Sequence, residues 1–164
     1  MPKVDIYSEE TQSEEHYIRF IMIECKHVVG ILNRVASLMR RKRYNMEEVS
    51  VSFDSKGRAR IIVAIDGKVH DIHHIMAQLK KLYDVYDAYD ATYEYENIYH
   101  VVCVKAKTQV DFANYPFPPD RYLKIKNGIK GVFLVSLEQM PKLLSTLEEL
   151  KHPYARRLVG INLD

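Results

Sequence analysis

The sequence predicts an α+β fold, in which a ferredoxin-like βαββαβ unit is followed by a β-β-α-β domain. Three observations carry that expectation. Between His16 and Thr92, four segments rich in β-branched and aromatic residues are interleaved with two stretches whose apolar residues recur at helical spacing. Their order is strand, helix, strand, strand, helix, strand. Asp54-Ser55-Lys56-Gly57 separates the two adjacent strands and has the composition of a hairpin turn. Beyond residue 93 the pattern becomes strand, loop, strand, helix, strand, and Tyr115-Pro116-Phe117-Pro118-Pro119 stiffens the loop.

The elements follow in order. Residues 1–15 read as a polar tail without apolar periodicity. The first strand is Tyr17–Glu24. The first helix runs from about Val29 to Lys42, where Ile31, Leu32, Val35, Leu38 and Met39 form one apolar stripe that must lie on a sheet. Arg40, Arg41, Lys42 and Arg43 close this helix, and cations suit the negative end of its dipole. The second strand is Met46–Phe53, with Val49 and Val51 alternating, and the third is Ala59–Ile65, ended by Asp66-Gly67. The second helix, Val69–Tyr83, places Val69, Ile72, Ile75, Met76, Leu79 and Leu82 on one face, and the fourth strand lies near Tyr83–Ala91. Two helices would cover one face of a four-stranded antiparallel sheet. The other face would stay open, which invites pairing with a second copy. In the second half the expected elements are a strand at Asn97–Lys105, a loop from Thr108 to Gly128, and a short strand at Val132–Val135. A helix over Leu137–Leu150 and a strand over Arg156–Asn162 follow, and Pro141 is acceptable in the first turn of that helix.

Composition narrows the function classes. The 164 residues suit one mid-sized domain or two small ones. A formal net charge of +2 offers no global basic field for nucleic acid or an anionic membrane. No apolar run approaches the roughly 18 residues that cross a bilayer. The polar, acidic N-terminus is unlike a secretory signal or transit peptide, and Cys25 and Cys103 lack CxxC spacing. A reduced, cytoplasmic setting is expected, with both cysteines as buried core residues. There is no GxSxG, HExxH or Walker loop, so no catalytic residue is assigned.

The junction Lys26 to Ile31 is the candidate ligand site. Gly30 stands where the loop from the first strand becomes the helix, so backbone can approach a bound group there. The first amides of a helix have no internal partner and attract carboxylates and phosphates.

From His16 to Thr92 the sequence resembles an ACT domain, the small amino-acid-sensing module, and more narrowly that of the regulatory small subunit of acetolactate synthase (acetohydroxyacid synthase). The residues that carry the resemblance are His27-Val28-Val29-Gly30-Ile31-Leu32-Asn33-Arg34-Val35, Arg41-Lys42-Arg43-Tyr44-Asn45-Met46-Glu47, Ala59-Arg60-Ile61-Ile62-Val63 and Gln78-Leu79-Lys80-Lys81-Leu82-Tyr83-Asp84-Val85. Departures stand at His27, where the family has Asn, at Val29, where it has Pro or Ser, and at Arg43, where it has Gly. The C-terminal domain is shortened, its first helix replaced by the proline-rich loop. The resemblance implies a non-catalytic subunit with no cofactor of its own, divided as residues 1–15, 16–93 and 94–164. It implies a homodimer through the ACT domain and a catalytic large subunit as partner. It also implies valine, leucine or isoleucine as effector, held by His27, Val28, Val29, Gly30 and Ile31. A stand-alone ACT sensor with a different partner or none is the alternative.

Other motifs have bland readings beside the functional ones. His27 and Gly30 could equally be a surface histidine and a tight helix entry. His70 and His74, spaced i, i+4, could share a metal, but no third ligand accompanies them and solvated histidines are the better reading. The basic run Arg40–Arg43 reads as a solvated helix end. The tyrosines from Tyr83 to Tyr95 fit either an oligomer interface or an exposed strand.

Overall fold

The computed structural model describes residues 18–93 and 97–160. The expected tail, Tyr17, Tyr95 and the end of the last strand lie outside the described residues. The chain forms two compact units that part near residue 95.

The first unit contains β1 (Ile18–Lys26), α1 (Ile31–Arg41), β2 (Glu48–Phe53), β3 (Arg58–Asp66), α2 (Ile72–Leu79) and β4 (Val85–Asp90). The strands form one antiparallel sheet in the order β2-β3-β1-β4, so the expected βαββαβ unit is present. Register decides which residues reach the core. Ile21 pairs with Val63, Ile23 with Ile61 and Val51 with Ile61. These rows meet Ile31, Val35, Leu38 and Met39 of α1 and Ile72, Ile75 and Leu79 of α2. On the opposite face of the sheet, Ile18, Phe20, Met22, Ile62 and Ala64 are buried as well.

The second helix begins later than its apolar residues suggest. The Asp71 carboxylate accepts from the amides of His73 (2.9 Å) and His74 (3.4 Å) and caps α2 at Ile72. Val69 and His70 fall in the preceding turn, where both amides donate to the Asp66 carbonyl. Val69 is accordingly exposed, and His70 lies outside the helix that carries His74. Asp71→Ala should cost about 1 kcal/mol, the worth of a side-chain cap. Urea unfolding checks this, and an unchanged midpoint would show that the cap contributes nothing.

The end of β4 is tied to β1 by a polar cluster. The Arg19 guanidinium pairs with Asp90 and donates to the Thr92 hydroxyl, which also accepts from the Phe20 amide. Burial opposes ionisation of Asp90, but hydrogen bonds from Thr92 and Arg19 outweigh it and hold the carboxyl below its ordinary range. A carboxylate depressed in the folded state contributes stability that is present above the unfolded pKa, about 3.9, and is lost as pH falls through the lower folded value. Wild type should therefore lose stability below about pH 4, and Asp90→Asn should show a shallower loss. Urea midpoints measured at successive pH values test this. Parallel acid profiles for the two proteins would refute it.

The second unit contains β5 (Ile98–Ala106), a 3₁₀ turn (Gln109–Asn114), β6 (Arg121–Ile125), β7 (Gly128–Ser136), α3 (Met140–Leu150) and β8 (Tyr154–Gly160). Its sheet order, β6-β7-β5-β8, repeats that of the first unit position by position. One expectation is corrected. Residues 121–125, expected within a loop, form a strand paired with β7 from Arg121↔Val132 to Ile125↔Gly128, so this unit has four strands. Where the first unit has α1, the second has the 3₁₀ turn and then Pro116, Pro118 and Pro119, which supply no amide hydrogens. Rings fill the volume of a helix: Phe112, Tyr115 and Phe133 pack with centroids 5.2–6.1 Å apart. A Cβ on Gly131 would lie 2.7 Å from the Phe112 ring, so this strand position must stay bare for the ring to seat. Among the described residues, no helix is long and apolar enough to cross a membrane.

Candidate functional site

The β1–α1 junction is shaped by backbone. The Lys26 amide donates to the Asp84 carbonyl (2.8 Å) and the His27 amide to the Gly57 carbonyl (2.9 Å), anchoring the loop on both sides. Gly30 has φ +84°, ψ 1°, the left-handed conformation glycine adopts without strain, and caps α1 without any side-chain hydrogen bond. The Ile31 amide bonds to the Val28 carbonyl (3.2 Å) and the Arg34 amide to that of Gly30 (2.9 Å). The amides of Leu32 and Asn33, between these two, are the orphan donors of the first turn. Arg34 pairs with Asp84, fastening α1 to the segment that leads into β4.

A cleft of about 540 Å³ opens beside this junction, lined by His27, Val28, Gly30 and Ile31 from the loop and helix start. Leu32, Asn33 and Ala36 from α1 and Val51 and Phe53 from β2 complete it. Of the five residues expected at the site, four meet there. Val29 does not line it and is 97% exposed. The imidazole of His27 stacks on Phe53, with centroids 4.1 Å apart and planes 23° apart. Leu32, expected in the buried stripe of α1, instead faces the cleft and is 45% exposed. The wall from Val51 and Phe53 is the part missed from sequence. The only signal was the alternation of β2, which places both residues on the helix-facing side, where Val51 packs against the core and Phe53 stays exposed.

The remaining chemistry-bearing residues do not converge. Among the described residues, no three His, Cys, Asp or Glu side chains are grouped to hold a metal. Burial, with the Asp84 charge adding to it, pushes the Cys25 thiol up to about 11, which makes it a poor nucleophile. Cys103, expected in the core, is half-buried, because its side chain points from β5 away from α3. The Tyr115 hydroxyl lies 2.7 Å from Nδ1 of His152, and burial with the Asp111 charge raises the phenol to about 12. Tyr83, Tyr86 and Tyr93 are exposed.

Residues 21–87, which include the loop, α1 and β2, match the model of the AHAS small subunit-like ACT domain. These residues are thus similar to the ACT domain of the acetolactate synthase small subunit. The acetolactate synthase small subunit from Thermotoga maritima superposes with a TM-score of 0.66 at 16% identity, covering 88% of this chain and 96% of that one. At that identity the likeness shows a shared fold, and it extends over both units. The aspartate kinase of Clostridium acetobutylicum matches with a TM-score of 0.42 at 14% identity, over 81% of this chain and 32% of that one. No curated protein matches the chain in sequence. The cleft thus lies within the residues that match this domain model.

Proposed function

We propose that this chain is the non-catalytic regulatory small subunit of an acetolactate synthase. It binds the catalytic subunit and takes a branched-chain amino acid in the ACT cleft as feedback effector. The cleft at the start of α1 carries this reading. It sets two orphan amides, on Leu32 and Asn33, beside an apolar wall of Leu32, Ala36, Val51 and Phe53. The amides suit a carboxylate and the wall suits a short branched side chain. The exposed apolar residues of this edge, Leu32, Val49 and Phe53, support a homodimer with α1 and β2 near the two-fold axis. An effector held there favours one dimer arrangement, and the catalytic chain responds to that arrangement through linkage.

Calorimetric titration with valine, leucine and isoleucine, alone and with a candidate catalytic subunit, tests the reading. Burying a branched side chain contributes about 1.5–3 kcal/mol, so alanine should bind at least about tenfold more weakly than the preferred effector. Binding of none of the three would remove the effector. Binding without any effect on a catalytic subunit would favour a stand-alone ACT sensor.

A further inference from the structure

At the end of α1 remote from the cleft, Arg40, Arg41, Lys42 and Arg43 follow one another, all exposed. None has an ion pair or side-chain hydrogen bond with a described residue. Of the described acids near this end, Glu47 accepts from the Asn45 amide side chain and Asp71 caps α2. The helix dipole supplies only about half an elementary negative charge at this end, so it offsets less than one of the four cations.

Arg43 carries a second cost. Its φ is +58°, a left-handed value imposed by a turn in which its amide donates to the Arg40 carbonyl and the Tyr44 amide to that of Met39. A side chain there is strained in a way that glycine would avoid. Mutual repulsion and backbone strain are both carried without any contact among the described residues that uses the charge. The first turn of α2 adjoins this surface, since the Tyr44 ring packs edge-on to His70 (5.3 Å) and His74 (6.5 Å), and His73 and His74 are exposed.

We infer that this basic end of α1 is a docking surface for a carboxylate-rich segment of a partner protein. Three of the four cations are arginines, whose planar forks match carboxylates in bidentate pairs. Nucleic acid is the poorer occupant. Tyr44 is half-buried against the histidines rather than free to stack, and the net charge of the chain is only +2. The surface is separate from the cleft and does not require the partner to be an acetolactate synthase, so it can fail while the effector reading stands.

Fluorescence anisotropy of a labelled deca-glutamate peptide, titrated with the full chain, tests the inference. Wild-type affinity should fall at least about fivefold between roughly 25 and 150 mM salt. Arg41→Ser with Arg43→Gly should weaken binding about tenfold or more while the melting temperature holds or rises, because glycine relieves the left-handed strain. The control, Lys80→Ser with Lys81→Ser at the far end of α2, should bind within about twofold of wild type. The inference is overturned if wild type fails to bind the peptide at low salt, or if the Arg41/Arg43 variant binds as tightly as wild type. Equal loss in the Lys80/Lys81 control overturns it too, as does tighter binding to an oligothymidylate or to phosphatidylserine vesicles than to the peptide.

Discussion

Gly128→Val is expected to unfold the second unit at temperatures where the wild-type chain is folded. Gly128 begins β7 directly after the turn from β6, at φ +135°. A Cβ there would lie 2.3 Å from the carbonyl oxygen of Ala106, 3.4 Å from its carbonyl carbon and 3.5 Å from the Cα of Lys107. These are backbone atoms at the end of β5, in the centre of the sheet, and no side-chain rotation relieves the overlap. Two penalties therefore combine. The backbone conformation costs roughly 1–3 kcal/mol for a non-glycine residue, more for a β-branched one, and the overlap adds about 1–3 kcal/mol by analogy with overpacked cores. A loss of about 3 kcal/mol or more would lower the melting temperature of a unit this size by about 12 °C or more. Gly30→Ala serves as the control, since it shares a positive φ but its Cβ would meet nothing within 4 Å. Thermal melts followed by circular dichroism make the comparison. Equal losses in the two variants would mean that the overlap with Ala106 is relieved at no cost.

That contrast marks what could be read from residues alone. The stripe Ile31, Val35, Leu38, Met39 and the turn Asp54–Gly57 were legible because local chemistry decides them. In the turn, Asp54 accepts from the amides of Lys56 (2.9 Å) and Arg58 (2.8 Å). β6 was not legible. Arg121, Leu123 and Lys124 are exposed, the segment follows three prolines, and its strand character comes from pairing with β7 rather than from an apolar run. The shared topology of the two units was hidden for a similar reason. A ring cluster around Phe112 does in the second unit what an amphipathic helix does in the first, and rings packed from a 3₁₀ turn leave no 3.6-residue period. The limits of α2 were set by the cap at Asp71, which outweighed the apolar Val69. At the candidate site, Gly30 and His27 were found through the strand–helix junction. Phe53 was missed because a strand residue enters the cleft only through sheet register, and register is a non-local property.

The largest functional effect is expected at Gly30. Gly30→Asp should abolish effector binding, or weaken it at least about tenfold, while leaving the ACT domain folded. Space is not the reason, because a Cβ at this position meets nothing within 4 Å. The cost to the fold is confined to the left-handed backbone at φ +84°, which Asp and Asn tolerate better than most residues. A carboxylate before the first turn of α1 even suits the helix dipole. The reason is charge. The side chain would place a negative group beside the orphan amides of Leu32 and Asn33, where the effector's own carboxylate is proposed to sit. Two like charges about 4 Å apart repel by about 1 kcal/mol in water and about 4 kcal/mol at an effective dielectric near 20, and an open cleft lies between these limits. Gly30→Asn matches the shape and backbone demand without the charge, so it should retain most of the affinity that Gly30→Asp loses. His27→Ala should weaken binding by only ~0.5–1.5 kcal/mol, one hydrogen bond's worth, with the Phe53 ring losing its stacked partner. Titration of the three variants beside wild type, with circular dichroism as the folding control, decides among these. If Gly30→Asp folds and binds the amino acid as tightly as wild type, the effector's carboxylate lies away from the start of α1 and the cleft assignment fails.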